Sequence, residues 1–188
     1  SGAEVTVPMM YHQESYAYAD LEGYQALSMP YDGNELEMVV LMPDEGAMPE
    51  FEEKLSADLL NEALDALEWN LLDLRFPAYE LGADYGLKEV LSAMGMEDAF
   101  TEGVADFSGM DGDGQRGLYI GAVIHKTFVK VNEKGTEAAA ATAVVMKGES
   151  EAPPATPIEV TIDRPFIFLI RDKVTGAVVF LGRVADPS

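Results

Sequence analysis

Cysteine, basic side chains and long hydrophobic runs are all scarce in this sequence. It contains no cysteine, which excludes a disulfide framework and thiolate chemistry. Only 12 lysines and arginines stand against 34 acidic residues, so the formal net charge is −22. Such a surface repels phosphate groups, which makes nucleic acid, anionic membranes and heparin-like polyanions poor partners. No apolar stretch approaches the roughly 18 residues that a membrane-spanning helix requires.

Motifs that carry chemistry are scarce as well. Two histidines, His12 and His125, are too few for a metal cluster, and His125 lies in a strand-like segment, where a structural role is the better interpretation. The stretch DGDGQ at 111–115 resembles a calcium loop, but Arg116 replaces its glycine and Ala122 its closing acid. No nucleophile elbow, Walker loop or dinucleotide fingerprint occurs. We therefore predict that the protein is not an enzyme and has no metal and no cofactor.

What is present describes a globular chain. Its 188 residues, 48% of them hydrophobic, suffice for one domain with a real core. Alternating or continuous apolar stretches predict strands at 5–10, 16–19, 24–27, 36–42, 70–76, 119–131, 158–162, 166–170 and 177–184. Helical spacing predicts one helix at 57–67, capped by Ser56. It predicts a second helix that ends at Gly95 and has an apolar stripe of Leu87, Val90, Leu91 and Met94. Trp69 is interpreted as a core residue. The class is α+β, mainly antiparallel sheet with a few helices.

The stretch KGTEAAAATAVVMKGES, residues 134–150, fits none of these elements. Alanine is the best helix former, yet the run begins at Gly135, ends at Gly148 and is followed by three prolines. It also lacks an apolar stripe, because alanine methyl groups would lie on every side of a helix. Taken alone, the stretch is a plain alanine helix or a flexible linker.

We call residues 134–150 the ribbon. The segments around it resemble those of the serpins, a family of suicide inhibitors of serine proteases. HKTFVK followed by VNEKGTEAAAATAVV is similar to the serpin hinge, and VTIDRPFIFLI is similar to the family signature. VPMM, LMPDEG, LKEVLSAMGMEDAF, ADFSGM and FLGRVADP are similar to further serpin segments. The resemblance implies a serpin fold in which residues 1–188 form the C-terminal portion of a single domain, with the N-terminal half absent. It also implies an exposed reactive loop at about 133–157.

The resemblance implies a function for the ribbon, which is to insert into the central sheet as a new strand once the loop has been cut. An inserting strand buries every second side chain, and the inward set would be Thr136, Ala138, Ala140 and Thr142. All four are small, and the single charge within residues 136–143, on Glu137, has the outward parity. Gly135 supplies a pivot without a Cβ. The implied hinge comprises Glu133, Gly135, Thr136, Glu137, Ala138, Ala139, Ala140, Ala141 and Thr142.

The position of the bond that the target protease cuts is less narrowly defined. Family spacing from Gly135 implies a cut between Glu149 and Ser150, with Met146 and Lys147 as alternatives. Glu149 would favour a protease with a basic specificity pocket, and Lys147 a trypsin-like enzyme. The implied partner is a serine protease, with a cysteine protease as the alternative. A location outside the cell is expected, with an intracellular location as the alternative.

One residue departs from the family pattern. Glu133 of the hinge usually pairs with a lysine just after a proline, but Ala78 follows Pro77 here, which leaves Arg75 or Lys134 as substitutes. A second function stays open, that of a non-inhibitory serpin-fold binding or chaperone module. A third, a hydrolase, lacks any constellation of nucleophile and base.

Overall fold

The computed structural model of the chain describes residues 5–112, 116–132 and 156–188. It divides into two compact units, residues 1–79 with 131–188 and residues 80–130. The strands are β1 (Met9–Leu21), β2 (Tyr24–Pro30), β3 (Leu36–Pro43), β4 (Glu68–Pro77), β5 (Tyr79–Gly86), β6 (Ile124–Val131), β7 (Ile158–Thr161), β8 (Phe166–Asp172) and β9 (Val178–Val184). The α-helices are α1 (Met48–Lys54), α2 (Ala57–Asp65), α3 (Lys88–Leu91) and α4 (Ser108–Asp111).

The first unit is built on one sheet of seven strands in the order β7–β4–β1–β2–β3–β8–β9. Its neighbours run antiparallel, except that β7 lies parallel to β4. The prediction of an α+β protein with mainly antiparallel sheet is confirmed. The apolar run LEMVVLMP forms β3 in the interior of the sheet, where every residue after Leu36 is buried, as expected for a strand packed on both faces.

One face of this sheet, which we call the helix face, is covered by α1 and α2. Ser56 caps α2 as predicted, because its Oγ accepts a hydrogen bond from the Leu59 amide at 3.2 Å. The helices contribute Met48, Phe51 and Ala63 to an apolar core with the strands beneath them. In this core the centroid of the Phe51 ring lies 5.1 Å from the centroid of the Tyr24 ring.

The opposite face carries a cluster of aromatic rings. Neighbouring centroids lie 5.7 to 6.5 Å apart in the set Phe76, Tyr79, Phe166, Phe168 and Phe180. Burial raises the pKa of the Tyr79 phenol well above its ordinary value, so this side chain stays neutral in the cluster. Gly182 of β9 pairs with Phe168 of β8, and its missing side chain leaves the space that the Phe168 ring occupies.

Substituting Gly182 by alanine should therefore destabilise the protein. The new Cβ would lie 2.4 Å from Cε1 of Phe168, and this ring is fully buried between other rings, so it has no room to move. Overpacking of this kind costs about 1–3 kcal/mol, and we expect thermal unfolding to show a melting temperature several degrees lower. Gly86→Ala is the control, since no atom lies within 4 Å of its Cβ position. Equal melting temperatures for the two variants would contradict the packing argument.

The second unit contains a two-stranded sheet of β5 and β6. The predicted second helix is shorter than expected, since α3 has four residues and is followed by a π-helical turn at Ser92–Met96. Gly95 has φ +103° inside that turn, a conformation that glycine adopts without strain. Met94 is 78% exposed, so the predicted apolar stripe does not form a buried helix face. Among the described residues, no helix is long and apolar enough to span a membrane.

Three further predictions are wrong in detail. Trp69 is 64% exposed rather than part of the core, because it lies beyond the end of α2, which leaves its indole uncovered. The first strand begins at Met9 rather than Val5, because its partner β4 ends at Pro77, opposite Met9. The strand predicted from Tyr119 begins at Ile124, because β5 ends at Gly86 and leaves the preceding residues without a strand to pair with.

Candidate functional site

The predicted hinge and reactive bond lie outside the described residues. This applies to Glu133, Gly135, Thr136, Glu137, Ala138, Ala139, Ala140, Ala141, Thr142, Met146, Lys147, Glu149 and Ser150. The structure does describe the two ends to which this segment is attached. On the N-terminal side β6 runs into Asn132, and on the C-terminal side Thr156 and Pro157 lead into β7.

The strand that leads into the hinge has a charged outer face. Lys126 donates a hydrogen bond to Asp84 at 2.8 Å, and Lys130 forms an ion pair with Glu80. Between the two lysines lies Phe128, which is 66% exposed. Its ring runs past Gly82 of β5, where a Cβ would contact Phe128 Cδ2 at 4.0 Å.

The other face of the two-stranded sheet of β5 and β6 carries smaller side chains in β6, and these are less exposed. Thr127, Val129 and Val131 are half-buried, and the Thr127 hydroxyl donates to the Ala83 carbonyl at 3.5 Å. His125 is exposed in β6, and its ring stacks on Tyr85 with centroids 6.5 Å apart. The structural role proposed for His125 stays a prediction. Among the described residues β6 pairs with β5 alone, so its other edge has no strand beside it there.

The region of the missing family lysine is also described. Ala78 donates its amide to the Pro8 carbonyl at 2.9 Å. The Arg75 guanidinium lies 6.0 Å from the centre of the Tyr11 ring, a cation–π arrangement. The question of a substitute partner for Glu133 falls on residues outside the described set.

Sequence reasoning missed a surface cavity of about 270 Å³ on the helix face, which we call the Trp69 pocket. Its apolar wall contains Leu64, Leu67 and Trp69, and its floor contains Ser28, Glu37 and Arg171. Glu37 is only 8% exposed. It accepts a hydrogen bond from the Ser28 hydroxyl at 2.7 Å and forms an ion pair with Arg171 at 2.8 Å.

The sequence does contain a signal for this pocket. Glu37 stands inside the apolar run of β3 and Arg171 follows the apolar run of β8, and a charge in a buried strand requires a partner. Lys173 lies at the rim of the pocket and donates to Asn34 at 2.5 Å. The adjoining turn is held by Asp172, whose pKa is lowered chiefly by the hydrogen bond from the Thr175 backbone amide.

Comparison with known proteins identifies a family for the whole chain. A family model described as serpin (serine protease inhibitor) matches residues 1–187. Human Serpin B3 is 43% identical over 187 residues, which cover 97% of this chain and 47% of that protein. Mouse antithrombin-III is 36% identical over 99% of this chain and 40% of its own length. Human leukocyte elastase inhibitor is 38% identical over 97% of this chain and 49% of its own length.

Solved structures give the same fold. Human thyroxine-binding globulin in complex with thyroxine matches with a TM-score of 0.78 and 30% identity, over 98% of this chain and 47% of that one. Mouse protein Z-dependent protease inhibitor matches with a TM-score of 0.77 and 28% identity, over 98% of this chain and 46% of that one. This chain therefore spans about half the length of the relatives that it matches.

Proposed function

The chain belongs to the serpin family, and from this premise we propose that the complete protein inhibits a serine protease as a suicide substrate. The observation that carries the proposal is that the small-residue ribbon follows β6 directly in the sequence, so that a strand formed by it could fold back beside β6. We propose that residues 1–188 are the C-terminal portion of a single domain.

The first step is the ordinary attack of a protease on a peptide bond. The serine Oγ of the target adds to the carbonyl carbon of Glu149, the bond to Ser150 breaks, and the new amine takes up a proton. An ester then joins the inhibitor to the protease. Met146 and Lys147 remain alternatives for the acyl position, and a cysteine protease, which would form a thioester, remains the alternative target.

The second step is insertion of the ribbon beside β6. Since β6 directly precedes the hinge, the returning strand would be its antiparallel neighbour. A two-residue turn at 133–134, the shortest common hairpin connection, would place Glu137 opposite Lys130 and Ala139 opposite Phe128. Directly opposite residues share a face, so Glu137 would meet the lysine-rich outer face of β6.

The ribbon residues that alternate with Glu137 and Ala139 fit the same pairing with β6. Thr136 and Ala138 would then lie on the side of Val131 and Val129, which are half-buried in β6. Insertion adds a fully paired strand to a sheet, and this stored stability drives the change after cleavage. The protease, still attached to the cut end, would be carried along the sheet before its ester is hydrolysed.

A covalent trap gives a direct test. The complete protein is incubated with trypsin-like, chymotrypsin-like, elastase-like and Glu-specific serine proteases, and the products are separated in SDS. We expect a stable adduct of one protease with one inhibitor, and mass spectrometry of the released C-terminal peptide identifies the cut bond. Cleavage by every enzyme without an adduct would contradict the inhibitory function.

A location outside the cell, with an intracellular one as the alternative, stays a prediction.

The Trp69 pocket favours a second candidate, a non-inhibitory binding module. Its apolar wall of Leu64, Leu67 and Trp69 and the ammonium of Lys173 at its rim suit a small molecule with an aromatic body and an acidic group. Thyroxine-binding globulin, a relative at 30% identity, was solved with thyroxine bound. Loop cleavage separates the two candidates, because a binding module needs no insertion and gains no stability when its loop is cut.

A further inference from the structure

The helix α2 is attached to the sheet by a small apolar contact. Of its nine residues, Ala63 alone is buried. Leu59, Leu60 and Leu64 pack against the apolar core of the helix face but are only partly buried. An isolated helix of this length is marginal in water, so the burial of its apolar side chains is what holds it in place. The attachment of α2 is therefore weak.

A cavity opens at each end of this helix. The Trp69 pocket contains Leu64 of α2 and residues that follow the helix. A second cavity, of about 220 Å³, is lined at the start of α2 by Ser56, Ala57 and Leu60. The wall of a cavity has no atoms opposite it and forfeits the dispersion contacts of a packed surface. Both cavities thus reduce the contact between α2 and the rest of the protein.

Every charged residue of α2 is acidic. The helix carries Asp58, Glu62 and Asp65, which are all exposed, and it contains no lysine or arginine. Asp58 and Glu62 are four residues apart, and Glu62 and Asp65 are three apart, so both pairs lie on one face of the helix. Like charges at these spacings destabilise a helix by about as much as opposite charges stabilise it.

Asp65 adds a further unfavourable interaction. It lies in the last turn of α2, where unpaired carbonyl groups carry partial negative charge and repel a carboxylate. Asp58, in the first turn, has the favourable position instead. Within the part of the chain that the structure describes, none of the carboxylates of α2 forms an ion pair. Only the ions of the surrounding solution are left to reduce the repulsion.

The salt concentration decides how large this repulsion is. The screening distance is about 30 Å at 0.01 M ionic strength and about 3 Å at 1 M. The Cβ atoms of residues three or four apart on a helix are about 5–6 Å apart. The repulsion among the carboxylates of α2 therefore acts almost in full at the lower concentration and is largely removed at the higher one.

We propose that α2 is a salt-dependent lid on the apolar core of the helix face. At low ionic strength the repulsion along α2 opens the weakly attached helix and exposes the core beneath it, which contains Val39, Leu41 and Leu169. At high ionic strength the repulsion is screened and the helix stays closed. The lid makes the complete protein suited to salty surroundings, and it does not depend on the inhibitory function proposed above.

Hydrogen–deuterium exchange of the complete protein at 0.01 M and at 1 M KCl tests the lid. We expect the amides of residues 60–65 to exchange about tenfold more slowly at the higher concentration, because two like-charge pairs and the repulsion at the helix end are then screened. The amides of β3, in the interior of the sheet, are the internal reference and should show no such change.

Charge reversal at one position separates α2 from the rest of the protein. Asp65→Lys turns the repulsion by Glu62 and by the helix end into attraction, so exchange at 0.01 M should be about as slow as in the parent at 1 M. Glu102→Lys makes the same change of charge at an exposed turn of the second unit. It is the matched control and should keep the salt dependence of the parent.

A milder variant and two contrary results complete the test. Asp65→Asn removes the charge without adding another, and should give about half of the effect of Asp65→Lys on a logarithmic scale. Equal exchange of the parent's α2 amides at the two salt concentrations would overturn the lid. An equal loss of salt dependence in Asp65→Lys and Glu102→Lys would overturn it as well, because the effect would then belong to the net charge of the protein.

Discussion

In the complete protein, Thr136→Arg should convert the inhibitor into a substrate. On the proposed pairing, Thr136 is the first residue of inward parity after Gly135, so its side chain would enter the sheet before the rest of the ribbon. On the proposed insertion, an arginine there would bury an unpaired guanidinium on the side of Val131 and Val129, which costs several kcal/mol at least. Insertion competes with hydrolysis of the ester, and each ~1.4 kcal/mol added to its barrier slows it about tenfold.

The measurement is the number of inhibitor molecules consumed for each protease molecule inactivated. We expect this number to rise from about one to well above ten for Thr136→Arg, as the tenfold scale predicts, while the loop is still cut at the same bond. Ala139→Arg is the matched control, because its outward parity would place the guanidinium next to the exposed ring of Phe128. Arginine stacks favourably on such a ring, so the control should remain an inhibitor. Equal trapping by both variants would contradict the assigned parity.

Cleavage of the loop should strongly stabilise the complete protein. A protease that is not trapped cuts the loop, and the released ribbon is free to pair along β6. About eight residues would gain backbone hydrogen bonds, each worth about 0.5–1.5 kcal/mol. We therefore expect the melting temperature to rise by about 10 °C or more.

The melting curves of intact and cleaved protein decide between the two candidate functions. Thr136→Arg provides the control here as well, since its cleaved form should show a much smaller rise. An unchanged melting temperature for the cleaved parent would contradict insertion and favour the binding module with its Trp69 pocket.

The elements that could be predicted from the sequence are those with a local signal. The continuous apolar runs of β3 and β8 indicate buried strands whatever their partners are, and Ser56 before an amphipathic stretch marks a helix start. The family resemblance carries the fold further than these patterns do, because no periodicity shows which strands pair with which. The parallel pairing of β7 with β4, for example, has no signature in either segment.

The elements that could not be predicted depend on contacts distant in sequence. Trp69 is a large apolar residue with an ordinary preference for the interior, and its exposure follows only from where α2 ends. Glu37 and Arg171 come from strands near opposite ends of the chain, and their ion pair requires the β3–β8 register. The same holds for Asp73 and Glu159, which the register of β4 and β7 brings side by side.

Hydrogen–deuterium exchange in the ribbon tests insertion most directly. After cleavage of the loop in the complete protein, we predict that the amides of residues 136–142 exchange at least about a hundredfold more slowly than in the intact protein, because they then pair within a sheet. The amides of β6 that face β5 are the internal reference. Unchanged exchange along residues 136–142 would contradict the account.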